Sequence, residues 1–552
     1  MKRWRARLAG VTSLVLAAGL AVAAGVPAHA AGFEPISGSG STWSQNALDQ
    51  WRSNVAANYG LTVNFSGVGS TAGRRDFIEG TVDFAVSEIP FQAVAELGAS
   101  PEIPFPANKQ RGYAYMPIVA GGTAFMYHLV IGGKQVTNLR LSGEVITKIF
   151  TGKITKWNDP AVQADNPGLA MPDKTITPII RSDGSGTTAQ FTLWMSKQYP
   201  AIWGEFAASM GRGPGLTSQY PLFNGAKGQT GSNGVSGYVA QGYGEGAITY
   251  VEYSYALEQG FPVAKVLNNS DFYVEPTAES VAVALLSAQI NNDSGSSDYL
   301  TQILDGVYNS GDPRAYPLSS YSYMIVPTEV KPSASSTFNE KKGASLGAFA
   351  SYFLCEGQQQ AGPLGYSPLP MNLVLAGFEQ IKRIPGAGGA NVDPNKCNNP
   401  TFAAGDDPSN NRLAATAPQP AACDKRGPDQ CVTGTAGAKQ PTAVSGSGSG
   451  GTASNAAGAG TSTGTTTTAT GASGAATGAD VLYDEYGNVI GETTAGGSTS
   501  VVASPYTVDD TGWGWQQSAM LGAVLLLLAA VIAPPLVVRT VRARDAAGGL
   551  NR

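Results

Sequence analysis

Three times in this chain a short apolar run ends in a turn of glycines and hydroxyl residues that opens directly into a helical pattern. The fullest copy is Arg181-Ser182-Asp183-Gly184-Ser185-Gly186-Thr187-Thr188, which follows Ile179 and Ile180 and continues into Ala189-Gln190-Phe191-Thr192-Leu193-Trp194-Met195. The second is Gly38-Ser39-Gly40-Ser41-Thr42-Trp43, ahead of Ala47, Leu48, Trp51 and Val55. The third is Gly67-Val68-Gly69-Ser70-Thr71-Ala72-Gly73, ahead of Phe77-Ile78. Strand-like runs elsewhere (Val63-Asn64-Phe65, Val82-Asp83-Phe84-Ala85, Tyr115-Met116-Pro117-Ile118-Val119) also alternate with helical ones, which predicts α/β layers with mixed sheets. In such layers ligands sit at strand C-termini and helix N-termini, where these turns would converge.

The chemistry of the turns points to an anion. The first N–H groups of a helix have no partner within it, and the helix dipole adds partial positive charge there. Arg181 contributes a fork of donors, and Asp183 two residues on is placed to hold that fork. No lysine follows the glycines, so this is not the phosphate loop of an ATPase, and no acidic ribose partner supports a dinucleotide at Gly67-Val68-Gly69. Any one such turn is equally a simple helix cap. Three in one exported chain, one of them carrying an arginine, favour a shared oxyanion site.

Composition argues for binding rather than catalysis. The chain has two histidines, and His29 falls in the export signal. His128 lies in the apolar run Phe125-Met126-Tyr127-His128-Leu129-Val130-Ile131 and reads as a packed strand residue. A Ser-His-acid triad or a histidine metal site needs more. Carboxylates are plentiful, so an acid/base pair stays open, but nothing marks one. Without the four basic residues of the signal, 31 Lys+Arg stand against 40 Asp+Glu, a net charge of −9. An acidic chain binds an anion through local donors, and it lacks the basic face that nucleic acid requires.

Taken together, the three turns resemble those of the phosphate-binding proteins that serve bacterial phosphate ABC importers. The resemblance extends to Gly80-Thr81-Val82-Asp83-Phe84, Thr151-Gly152-Lys153-Ile154 with Lys156-Trp157, Gly231-Ser232-Asn233-Gly234-Val235-Ser236-Gly237-Tyr238-Val239-Ala240, and Ala247-Ile248-Thr249-Tyr250-Val251-Glu252-Tyr253. It covers about residues 33 to 385. It implies a two-lobed α/β fold of the periplasmic-binding type (type II-like) that closes over one dehydrated phosphate, with no cofactor. Lobe one would comprise 33–120 and 268–385, and lobe two 124–265, within a domain at 31–390.

The resemblance also implies a ligand set: Thr42, Trp43, Ser70, Arg181, Ser185, Gly186 and Thr187, with Asp183 orienting the arginine. Where the family has an aspartate, this chain has Glu88 at the end of Phe84-Ala85-Val86-Ser87. Phosphate at neutral pH keeps a proton to donate to a carboxylate, whereas sulfate has none. A site that demands such a hydrogen bond rejects the analogue lacking it by roughly 10⁴-fold or more. Glu88 retains that chemistry with one extra methylene, so the pocket recedes, the ligand shifts, or another oxyanion is chosen. The implied partners are inorganic phosphate and the permease and ATPase subunits of an importer. A tethered phosphate sensor or scavenger, a cell-surface interaction protein, and more remotely a phosphatase remain alternatives.

The chain ends suggest where the protein works. Lys2, Arg3, Arg5 and Arg7 precede an apolar run at 8–26, and Ala28-His29-Ala30 reads as a cleavage site, giving a signal peptide at 1–30. Residues 518–538 are almost wholly apolar, long enough for a ~20-residue membrane helix. Trp513 and Trp515 would flank it outside, with Arg539, Arg542 and Arg544 on a cytoplasmic tail at 539–552. The expected topology is single-pass type I in the cell membrane, with the binding domain outside. Residues 433–512 read as a low-complexity stalk, about 80 residues with a reach of roughly 50 Å if fully flexible. Within it, Val481-Leu482-Tyr483 and Val489-Ile490 flank a candidate Gly-Asn hairpin. The four cysteines, Cys355, Cys397, Cys423 and Cys431, frame an extension at 391–432 and suggest two disulfides with three possible pairings. Cys423 with Cys431, and Cys355 with Cys397, is the preferred one.

Overall fold

The computed structural model describes residues 32–444, apart from 95, 97–99, 103–111, 331–337 and 389–395, together with three strands between 480 and 500. The signal at 1–30 and the apolar segment at 518–538 lie outside the described residues. Among those described, no helix is long and apolar enough to cross a membrane.

The described residues from 32 to 444 belong to one compact unit. Its elements, in chain order, begin with β1 (Ile36–Gly40), α1 (Gln45–Tyr59), β2 (Val63–Gly67), α2 (Ser70–Glu79), β3 (Phe84–Ser87) and β4 (Tyr113–Tyr127). They continue with β5 (Thr177–Arg181), α3 (Gly186–Gln198), β6 (Lys227–Gln229), α4 (Gly231–Ala240), β7 (Ala247–Glu252), α5 (Tyr253–Glu258) and β8 (Ser319–Pro327). The eight strands hydrogen-bond in the order β2-β1-β3-β8-β4-β7-β5-β6. Both flanks are parallel (β1 with β2 and β3; β5 with β6 and β7), and the centre is antiparallel. The mixed α/β architecture is the expected one.

β4 divides the molecule into two lobes. Its residues from Tyr113 to Gly122 pair with β8, and from Thr123 to Tyr127 with β7. After Tyr113 every side chain of this strand is buried, hence its near-continuous apolar sequence in place of alternation. Each lobe has its own aromatic packing. In the first, Trp51 of α1 stacks on Phe353 and donates its indole N–H to Gly357 O at 2.7 Å. In the second, Phe191 of α3 meets Tyr250 of β7 at 4.9 Å and Phe150 at 5.1 Å, which fixes the start of α3 over the sheet edge. His128 follows β4, its Nδ1 3.0 Å from Val239 O and its ring against Phe261.

The disulfides are Cys355–Cys397 and Cys423–Cys431. The extension they anchor packs first on lobe one, where Asn399 and Thr401 donate to Leu369 O and Arg314 donates to Ala414 O, and then along lobe two: Lys265 pairs with Asp424 at 2.7 Å, Arg140 donates to Cys423 O and Asp429 O, and Asn138 donates to Cys431 O. The expected start of the stalk requires correction. Thr435 is fully buried, its hydroxyl accepting from Val263 N at 3.0 Å and donating to Val263 O at 2.6 Å, and the Thr137 hydroxyl donates to Gln440 O. Residues 433–444 therefore belong to the packed domain, because their backbone partners lie on its surface; 445–479 lie outside the described residues. In the second unit, 458–552, Asp480–Tyr483 pairs antiparallel with Val489–Thr493, the strand pair read from the sequence, and Thr499–Ser500 adds a third strand.

Candidate anion site

Two pairs of parallel strands, running in opposite directions, end at the gap between the lobes, and each strand feeds a helix there: β1 into α1, β2 into α2, β5 into α3 and β6 into α4. The first-turn N–H groups of these helices have no carbonyl upstream to bond, so four positive ends meet at one place. The turns expected to converge do so. Gly186 N donates to Ser70 Oγ at 3.0 Å, Thr71 N to Gly184 O at 3.1 Å, and Ser232 N to Thr42 Oγ1 at 3.1 Å. All three bonds cross between lobes, as does Tyr255 OH to Thr42 O at 2.6 Å. The lobes are closed.

Arg181 ends β5 with its side chain 2% exposed. Its Nε donates to Asp183 Oδ1 at 2.7 Å, a second guanidinium N–H donates to Asp183 Oδ2, and Nη1 donates to Ser232 Oγ at 3.2 Å. Burial alone would lower the guanidinium, but the hydrogen bonds and charge of Asp183 hold it above its ordinary value. Burial would likewise raise Asp183, yet Arg181 and the Gly231 N–H at 2.9 Å keep its carboxylate below the usual range. The pair is a fixed, bidentate and electrically neutral clamp.

Glu88 follows β3 and is buried. Its Oε2 accepts from Ser41 Oγ at 2.7 Å and Ser70 Oγ at 2.9 Å, and its Oε1 from Ser322 Oγ at 2.9 Å. Desolvation raises this acid; the three hydroxyls counter it, and Glu252 adds to the rise. The extra methylene finds room only because residue 186 is glycine: a Cβ there would stand 1.8 Å from Glu88 Oε2. Gly69 is required for a different reason. Its φ is +92°, and a Cβ would meet Asp183 Oδ2 at 2.7 Å.

The other expected residues are placed unequally. Thr42, Ser70, Gly186 and Thr187 stand at the junction with Glu88 and Arg181. Trp43 turns its N–H to Ser41 Oγ at 3.0 Å and packs its ring on Tyr366. Ser185 is occupied as the cap of α3, accepting from Thr188 N at 3.2 Å while its own N–H donates to Ser218 O. Four residues went unassigned in the sequence. Ser41 and Ser232 lie inside the glycine-serine turns, and Glu252 lies in the matched run ending β7, so a signal existed for each. Ser322, on β8, had none. Thr187 Oγ1 donates to Glu252 Oε1 at 2.5 Å, and Glu252 is also raised by burial, partly offset by Arg181 and the Ser232 and Thr187 hydroxyls.

Two α/β lobes closing helix N-termini, hydroxyls and one clamped arginine around a dehydrated junction define a solute-binding protein. The PBP superfamily domain matches residues 25–356. Phosphate-binding protein PstS of Xylella fastidiosa is 33% identical over 339 residues, 61% of this chain and 82% of that protein. PstS of Pasteurella multocida is 31% identical, over 62% of this chain and 88% of its own length, and PstS 3 of Mycobacterium tuberculosis 30%, over 61% and 84%. This chain belongs to the PBP superfamily and, within it, to the family of PstS phosphate-binding proteins. The crystal structure of a high-affinity periplasmic phosphate-binding protein, PfluDING, bound with phosphate shares the fold, with a TM-score of 0.50 at 19% identity, covering 65% of this chain and 98% of that one.

Proposed function

We propose that this protein binds inorganic phosphate between its lobes, outside the cytoplasm, and delivers it to an ABC-type phosphate importer. The observation that carries the reading is the buried Arg181–Asp183 clamp set among converging helix N-termini, opposite a buried carboxylate, in a chain of the PstS family. Arg181 supplies the charge-assisted contact, with Thr42, Ser70, Gly186 and Thr187 as donors around the anion. Trp43 and Ser185 complete the set once a bound anion replaces the partners that their N–H groups now hold, Ser41 Oγ and Ser218 O. Glu88 accepts the ligand's proton and so disfavours sulfate. The protein acts as a binder, and the subunits that form and power the channel are its partners.

The lobes are 33–120 with 268–385, and 124–265, hinged where β4 changes partner between Gly122 and Thr123; that change of partner supports the division. A signal at 1–30 and an anchor at 518–538 place the domain on the outer face of the cell membrane, supported by the Trp513/Trp515 and Arg539/Arg542/Arg544 flanks. Calorimetric titration of the ligand-stripped full-length protein with phosphate and sulfate tests the binding. Phosphate-selective binding that Arg181→Ala abolishes is expected, and a folded protein that ignores phosphate would refute the reading.

A further inference from the structure

Glu252 is a second carboxylate at this junction, and its environment differs from that of Glu88. It ends β7 at 1% exposure. Oε1 receives the Thr187 hydroxyl, while Oε2 is buried and makes no hydrogen bond. Thr187 and Ser232 stand in the first turns of α3 and α4, on either side of Arg181. The unpartnered oxygen therefore lies beneath two helix N-termini, beside the guanidinium.

The charge balance gives this oxygen a role. Arg181 and Asp183 cancel each other, so the clamp brings no spare positive charge for a ligand. Glu88 is met by three hydroxyl donors, whereas Glu252 Oε2 has none within hydrogen-bonding distance and only the nearby Ser232 hydroxyl and the Arg181 charge favour its ionised form, so an ionised oxygen there is disfavoured. Adding a doubly charged anion would place it against two buried carboxylates in a water-poor site. A single proton between Glu252 Oε2 and a ligand oxygen relieves both problems. Among the described residues whose charge acts on Glu252, Glu88 and the phenols of Tyr255 and Tyr366 are neutral or negative, and Arg181, itself paired with Asp183, is positive.

We propose that Glu252 is a second specificity-determining carboxylate, sharing one proton with an oxygen of the bound oxyanion, so that the site closes on its ligand only together with that proton. The inference rests on the phosphate-binding reading and extends it: two protons are shared between site and ligand, one at Glu88 and one at Glu252. Phosphate carrying a single proton draws the second from solvent. Sulfate brings neither, so the protein must supply both.

The test is titration of the full-length, ligand-stripped protein with inorganic phosphate in buffers of different protonation enthalpy, across about pH 6 to pH 8.5. The wild type should take up about one proton per phosphate at the alkaline end, and its affinity should fall about tenfold per pH unit there. Glu252→Gln should bind with about one proton fewer and a nearly flat pH profile, and should gain sulfate binding by about tenfold or more at the alkaline end. Phosphate binding by Glu252→Gln with the wild-type proton count and slope would overturn the proposal. Should that variant not fold, wild-type binding without proton uptake anywhere in the range would overturn it equally. A wild type that binds no phosphate at all would sink the proposed function itself, a result distinct from phosphate binding without linked protons.

Discussion

Replacing Gly186 by alanine should separate closure on the ligand from folding. The added Cβ would stand 1.8 Å from Glu88 Oε2, 2.6 Å from Ser70 Oγ and 2.9 Å from Glu88 Cδ. Carbon–oxygen contacts below about 3 Å are not tolerated in packed interiors, so the carboxylate must retreat by more than about 1 Å. It then gives up its bonds from Ser41 and Ser70, and each hydrogen bond to a charged group contributes about 1.5–3 kcal/mol. The closed state is thus penalised by about 3–6 kcal/mol, a loss of roughly 10²- to 10⁴-fold in phosphate affinity. Gly186 is the first residue of α3 and has no positive φ, so alanine is compatible with the backbone and adds up to about 1 kcal/mol of helix propensity. Folding stability should hold while binding collapses, as read by calorimetry beside thermal unfolding without ligand. Glu88→Asp in the same background withdraws the carboxylate by one methylene and should restore much of the affinity, a non-additivity that a double-mutant cycle measures. Wild-type phosphate affinity in Gly186→Ala alone would refute the placement of Glu88 against this glycine.

Two further expectations concern stability. Glu88 and Glu252 are raised above the ordinary 4.5, so their folded forms hold protons that the unfolded chain releases; the resulting stability is present below 4.5 and is lost as pH rises through the raised values. Thermal unfolding of the ligand-free protein should therefore move upward as pH falls toward 4.5, with a smaller slope in Glu88→Gln; an unchanged slope in that variant would count against a raised Glu88. Removing Cys355–Cys397, which spans 42 residues, should cost about 4 kcal/mol, and removing Cys423–Cys431, which spans 8, about 2.5 kcal/mol. Serine pairs followed by denaturant unfolding should reproduce that order, and equal losses would show that strain or residual structure governs instead.

Much of the site was legible because its parts are local. A glycine-serine turn at a helix start exposes N–H groups by its own geometry, so the three turns could be read as an anion site without knowing their neighbours, and the family resemblance then picked out Thr42, Ser70 and the residues of the Arg181-to-Thr187 turn within them. Arg181 and Asp183 are two residues apart, and their pairing follows from that spacing. The alternation of strands and glycine-capped helices likewise carried the α/β class. The stalk boundary was misplaced for the complementary reason: residues 433–444 are small and polar by composition, but the Thr435 hydroxyl bonds Val263 and the Gln440 carbonyl accepts from Thr137, both far away in sequence.

What tertiary structure alone decided is how these local pieces meet. No spacing in the chain connects Glu88 to Ser322 or Gly186, or Thr42 to Ser232; the pairing of β8 with β3 brings Ser322 to Glu88, while closure of the two lobes sets Gly186 against Glu88 and Thr42 within hydrogen-bonding distance of Ser232. Packing also buries one oxygen of Glu252 outside hydrogen-bonding range of any donor, which no local pattern announces. Local sequence determines which groups a segment can offer, since turn and helix geometry extend over a few residues. Long-range packing determines which of those groups lose water and which keep a partner, and in a dry site that difference sets the affinity for an anion and its protons.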